Sequence, residues 1–82
     1  MLTLAKIKAL QPKEKDYKVT DGRGLYLLVK TNGSKLWRYD YARPLTKKRA
    51  TYSLGAYPDL SLVDARNMHS ELRTMLAKGI DP

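Results

Sequence analysis

Three consecutive stretches of this chain alternate apolar and polar residues with a period of two, and this alternation constrains the fold more than any other feature. In the first, Leu25, Leu27 and Val29 fall on one side, with Tyr26, Leu28 and Lys30 on the other. In the second, Lys35 to Arg43, Trp37, Tyr39 and Tyr41 oppose Leu36, Arg38, Asp40 and Ala42. In the third, Lys48 to Leu54, Ala50, Tyr52 and Leu54 oppose Arg49, Thr51 and Ser53. Cross-strand neighbours in a sheet share a side, so the loops can be tested against the faces. A tight two-residue Asn32-Gly33 loop pairs Leu27 with Arg38 and mixes the sides. One more loop residue, as in a turn with a Gly bulge, pairs Val29 with Trp37, Leu27 with Tyr39 and Leu25 with Tyr41. That odd loop is preferred. A four-residue loop at 44–47 then gives Trp37–Leu54, Tyr39–Tyr52 and Tyr41–Ala50, and one face is aliphatic and aromatic throughout.

A helix to cover that face follows the sheet. Ser61 is placed as its N-cap, with Asp64 three residues on in the manner of a capping box and near the positive helix end. Leu62, Ala65, Met68, Leu72, Met75 and Leu76 recur at three- and four-residue spacings, one apolar stripe. Gly79 stands where a left-handed C-terminal cap is expected. Upstream, Thr3 caps a short helical pattern through Leu4, Ala5, Ile7 and Leu10, which Pro12 and a mixed-charge run end. Tyr17–Thr20 is long enough for a brief strand, and Asp21-Gly22-Arg23-Gly24 reads as a turn. The expected fold class is α+β: a three-stranded antiparallel sheet, with a short fourth strand as an option, packed on one C-terminal helix.

Eighty-two residues allow one small domain, which buries about 60–65% of the surface its unfolded chain exposes. The absence of cysteine excludes a disulfide framework, a thiolate zinc site and a cysteine nucleophile. The longest apolar run, Leu25 to Val29, is far short of the roughly 18 residues of a membrane span. Lys6 and Lys8 interrupt any signal-peptide core. A net charge of +8 makes a polyanion the first partner to consider, nucleic acid ahead of an anionic membrane. The charge is concentrated: residues 30–49 hold seven basic side chains against Asp40 alone. The expectation is a soluble, cytoplasmic domain.

The polar face obtained by subtraction carries the candidate site. A twisted sheet can present such a face to a DNA major groove, with basic side chains at its rim and loops meeting the phosphates. Arg38, Asp40 and Thr51, with Tyr26 and Ser53, are the candidates for base edges. Lys30, Lys35, Arg43, Lys47, Lys48 and Arg49, with Arg23 at its turn, are the candidates for phosphates. Asp40 is expected either to accept from a cytosine amino group or, by preference, to hold Arg38. Catalytic chemistry lacks support. His69 is the only histidine and lies beside the helix stripe, no cysteine joins it to build a metal site, and the carboxylates are scattered. Gly22-Arg23-Gly24 lacks the remainder of a P-loop. No metal or cofactor is expected.

Five motifs in order resemble one family. They are Asp21-Gly22-Arg23-Gly24-Leu25-Tyr26-Leu27, Gly33-Ser34-Lys35-Leu36-Trp37, Ser53-Leu54-Gly55-Ala56-Tyr57-Pro58, Ser61-Leu62 with Ala65-Arg66, and Gly79-Ile80-Asp81-Pro82. The pattern is similar to the N-terminal arm-type DNA-binding domain of tyrosine-recombinase integrases from phages, prophages and genomic islands. Pro44-Leu45-Thr46 departs from it, replacing a Gly-containing turn. The resemblance implies a three-stranded sheet in the major groove of double-stranded DNA at arm-type attachment-site repeats. It also implies partnership with other integrase subunits and DNA-bending accessory proteins, in a bacterial nucleoid-associated setting. Cleavage would belong to a separate C-terminal domain, so this chain is expected to be a non-catalytic fragment, 1–82, with 79–82 starting a linker. The competing expectation is a protein-interaction module that docks another integrase subunit or recombination factor and binds DNA weakly. RNA binding is a further alternative, disfavoured because most Tyr and Trp fall on the core face.

Overall fold

The computed structural model describes residues 2–82. The chain runs α1 (Leu4–Ala9), β1 (Tyr17–Gly22), β2 (Leu25–Val29), β3 (Lys35–Ala42), β4 (Arg49–Tyr57) and α2 (Leu62–Ala77). The four strands form one antiparallel sheet in sequence order. The fold class is α+β as expected, and the optional fourth strand is present as β1.

Both helix starts are built as the sequence predicts. Thr3 Oγ1 accepts from Lys6 N at 3.2 Å, and Ser61 Oγ from Asp64 N at 3.1 Å. Each satisfies an amide that the helix itself leaves unpaired. α2 stops in a Schellman arrangement: Ile80 N reaches Met75 O at 2.9 Å, Gly79 N reaches Leu76 O at 3.0 Å, and Gly79 takes φ +77.

The sheet's inner face and α2 enclose the core. Leu25, Leu27 and Trp37 pack with Ile7, Leu62 and Ala65, while Tyr39 and Tyr41 pack with Leu72. Burying side chains of this size stabilises by about 1.5–3 kcal/mol each. The helix stripe differs from expectation at one place: His69, not Met68, is the buried residue in its middle turn.

Two registers also differ. β2 and β3 pair Leu25 with Tyr39, Leu27 with Trp37 and Val29 with Lys35, two residues away from the expected pairing. The loop is odd, as preferred, but it is centred one residue earlier. Lys30 N donates to Ser34 O at 2.8 Å and Gly33 N to Lys30 O at 3.0 Å, enclosing Thr31-Asn32-Gly33. The faces are unchanged because a two-residue shift preserves side-chain parity.

β3 and β4 pair as expected at Tyr39–Tyr52 and Tyr41–Ala50, but Trp37 faces Gly55 rather than Leu54. A bulge at Leu54 lengthens β4 to Tyr57. The reason is steric. Leu60 lies 3.3 Å from where a Cβ on Gly55 would stand, and its carbonyl accepts from Trp37 Nε1 at 2.8 Å. A glycine opposite the indole gives the chain room to fold back there, whereas a larger residue would press on the Leu60 side chain.

Candidate nucleic-acid interface

The outer face of the sheet carries polar rows set by register, beside an apolar row of Leu28, Leu36 and Ala56. Thr20, Tyr26, Arg38 and Ser53 form one row across all four strands, and Asp40 with Thr51 forms the next row of the β3–β4 pair. Lys18 joins from β1 opposite Leu28.

Asp40 organises this face. Its Oδ1 accepts from Thr51 Oγ1 at 2.8 Å and from Tyr26 Oη at 3.2 Å, and Lys18 Nζ stands 3.6 Å from Oδ2. Burial raises the Asp40 pKa, but the hydrogen bonds from Thr51 and Tyr26 and the Lys18 charge outweigh it, and the net shift is downward. The carboxylate is therefore ionised at neutral pH. Its partners correct the expectation that it holds Arg38: no Arg38–Asp40 pair forms among the described residues. The physical reason is competition, since three donors on β1, β2 and β4 already surround Asp40.

Tyr26 is the second member. Its ring is 7% exposed, its hydroxyl is bound to Asp40, and Lys18 Nζ lies 4.7 Å from the ring centroid. Burial, with the Asp40 charge beside it, raises its phenol pKa, so it stays a neutral donor. Arg38 differs from both. Its Nε is shielded from solvent and has no hydrogen-bond partner among the described residues. A buried donor left unmade costs roughly 1–3 kcal/mol, and an outside acceptor reaches this one only after the side chain turns outward.

The candidate phosphate contacts separate into two groups. Lys47, Lys48 and Arg49 are exposed at the β3–β4 hairpin, beside Leu45, which is 91% exposed. That hairpin closes with Arg43 N donating to Lys48 O and Lys47 N to Arg43 O, both at 2.9 Å. Lys47 takes φ +61, the left-handed position that a glycine more often fills. The other four are engaged or point elsewhere. Lys30 Nζ lies 3.3 Å from Asp16, and Arg43 Nη1 3.7 Å from Asp81. Lys35 is on the helix side, where its Nζ donates to Ile7 O at 2.9 Å near the negative end of α1. Arg23 sits at the β1–β2 turn, away from the outer face.

Lys18 and Thr20 belong to the outer face and were not among the sequence candidates. Alternation within Tyr17–Thr20 was the available signal, with Tyr17 and Val19 on the inner side. Among the described residues no group of His, Asp and Glu is arranged to hold a metal ion, and no helix is long and apolar enough to cross a membrane.

This is a small α+β domain with a helix on one face of its sheet and a polar, cation-flanked face on the other. Residues 2–82 match the family described as Arm DNA-binding domain, and the chain belongs to that family. It is 56% identical over 81 residues to the prophage integrase IntA of Escherichia coli (strain K12), covering 99% of this chain. It is 42% identical over 81 residues to the integrase of Enterobacteria phage P4, and 45% identical over 83 residues to the prophage integrase IntZ of E. coli K12, again covering 99% of this chain in each case. The chain spans only 20%, 18% and 20% of the length of these three relatives.

Proposed function

We propose that this domain reads specific sequences in double-stranded DNA at arm-type sites, as part of integrase-mediated site-specific recombination. The family supports DNA as the ligand. The observation that carries sequence reading is the register row Thr20–Tyr26–Arg38–Ser53, which sets a half-buried arginine among donors and acceptors running across the sheet. An arginine donor aimed from a sheet into the major groove is matched by guanine O6 and N7. Thr51 and Ser53 offer hydroxyls in the same plane. Asp40 acts as an organiser of Tyr26, Thr51 and Lys18 rather than as a direct base reader. Lys47, Lys48 and Arg49 meet the flanking phosphates. The parent protein is a tyrosine recombinase in this proposal, with cleavage and religation outside these residues, and other integrase subunits and DNA-bending proteins complete the complex.

The test is fluorescence anisotropy with duplexes tiled across the flanks of an attachment site, at two salt concentrations. A repeat bound about a thousandfold or more above scrambled duplex is the expected result. Arg38→Ala is expected to lower affinity for that repeat about 10- to 100-fold and to relax preference at one base pair. Steep salt dependence with no sequence preference would overturn the proposal and favour a protein-docking module.

A further inference from the structure

On the helix side, away from the outer face, a cleft of about 440 Å³ opens between the β1–β2 turn and the middle of α2. Asp21, Arg23, Arg66, His69, Ser70 and Arg73 line it. The three arginines are not equivalent. Arg66 is committed to Asp21 and to the Leu2 carbonyl. Arg23 and Arg73 have no carboxylate within 4.0 Å among the described residues. Two uncompensated guanidinium groups therefore remain at one opening, beside the Ser70 hydroxyl. Ser70 and Arg73 are three residues apart on α2, neighbours on one helix face. The groove continues along that face past Thr74.

The backbone at the opening is held in an unusual state. Arg23 has φ +52 although Gly22 and Gly24 flank it. A side-chain-bearing residue in this region is uncommon, and here the two-residue turn between the paired Gly22 and Leu25 requires it. The support comes from beneath, where the His69 ring nitrogen Nε2 lies 3.0 Å from Arg23 O. His69 is buried and packs edge-on against Tyr39 with centroids 4.7 Å apart. A core residue thus fixes a turn whose side chain serves neither the core nor the outer face.

We propose that this cleft is a phosphate-binding site, in which Arg23 and Arg73, with the Ser70 hydroxyl, take a nucleic-acid backbone phosphate separately from the sheet's outer face. Guanidinium groups pair with phosphate oxygens through parallel charge-assisted bonds, and a hydroxyl supplies a further donor. The cleft is open, which suits a phosphodiester on a polymer better than an enclosed small molecule. The site stands on its own residues and does not require the Arg38 reading. The phosphate has two sources: the duplex already on the sheet, reached around the β1 edge, or a second duplex.

The first test is NMR of the isotope-labelled domain titrated with inorganic phosphate. Saturable shifts at the Arg23 and Arg73 Nε–H signals and the Ser70 amide are expected. In Arg73→Gln the binding read at Arg23 and Ser70 weakens at least tenfold with the unfolding midpoint unchanged, while Arg38→Ala retains it. Absence of saturable shifts, or unaltered phosphate binding by Arg73→Gln, overturns the site. Succinate binding ten times more tightly than phosphate overturns it in favour of an acidic protein segment. The sources are separated with non-target duplex and Arg73→Gln. A lower 1:1 affinity with a salt slope shallower by about one indicates the same duplex. An unchanged 1:1 affinity with loss of a complex holding two duplexes indicates the second. A change in neither overturns the nucleic-acid assignment.

Discussion

Arg66 on α2 grips Asp21 on β1 with two nitrogens, Nε to Oδ2 at 3.0 Å and Nη2 to Oδ1 at 2.9 Å. The same carboxylate accepts from Leu2 N at 2.8 Å, and the same guanidinium donates to Leu2 O at 2.8 Å. One ion pair therefore joins the N-terminal segment, the sheet edge and the helix.

Removing the arginine leaves a buried carboxylate without its charge partner. Breaking a fully buried pair costs about 3–5 kcal/mol. Water reaches Arg66, whose side chain is 35% exposed, so Arg66→Ala is expected to cost about 2 kcal/mol in urea unfolding at pH 7. The Arg66 hydrogen bonds hold the Asp21 pKa below its ordinary 3.8 against the opposing effect of burial. The pair's contribution is thus complete above that value and is lost as pH falls through the lower, folded one. Asp21→Asn is expected to flatten the acid limb of the stability profile.

His69 gives a second pH dependence of the same direction. Burial depresses its pKa below the ordinary 6.5, with Arg73 and Arg23 adding to the shift and the Arg23 carbonyl and Asp21 opposing it. The unfolded chain takes up this proton first, so stability is full above about pH 6.5 and declines below it. Urea midpoints at pH 7.5 and 5 measure the step. His69→Phe, though less stable at both values, is expected to lose the difference between them.

Gly24 is expected to be the least replaceable glycine. It holds φ +87, and a Cβ there would lie 2.4 Å from Asp40 O and 2.9 Å from the Tyr39 ring. Its own carbonyl accepts from Asp40 N at 3.0 Å. Gly24→Ala must break that contact between the β1–β2 turn and β3 and should cost about 3 kcal/mol or prevent folding. Gly33→Ala, at φ +91 with open space around it, should cost about 1 kcal/mol. Thermal unfolding of the two variants compares them directly.

The hairpin cations are testable through salt. Lys47→Ala and Lys48→Ala are each expected to reduce the slope of log affinity against log salt by about 0.9 and to weaken all duplexes alike. The folded stability should change little, because both side chains are exposed. Anisotropy titrations at several salt concentrations check this.

Strand faces were legible because alternation survives every uncertainty of register that is a multiple of two. For the same reason the β2–β3 pairing was not. Loops centred on Gly33 or on Asn32 give the same faces, and only the amide pairings at Lys30 and Ser34 choose between them. The Leu54 bulge depends on Leu60 folding back over Gly55, a contact beyond the strand that pattern does not record. Arg38, Thr51 and Ser53 were placed on the correct side by parity alone. Lys35 and Arg43 read as candidate phosphate contacts because a sequence shows charge without partners. Ile7 O and Asp81 satisfy them in three dimensions. The arginine cleft joins a turn to a helix more than forty residues away, as the Asp21–Arg66 contact shows, so no local motif announces it.

The placement of Asp40 has a kinetic consequence under the proposed docking. It neutralises part of the positive charge on the outer face, whereas Lys47, Lys48 and Arg49 at the hairpin keep theirs. Long-range attraction to DNA then comes chiefly from one end of the domain, and the encounter rate follows the hairpin. Residence time instead follows the Thr20–Tyr26–Arg38–Ser53 row, where short-range fit decides how slowly a matched sequence is released. Arrival and departure are thereby assigned to different parts of the same sheet, and a change in one can leave the other nearly untouched.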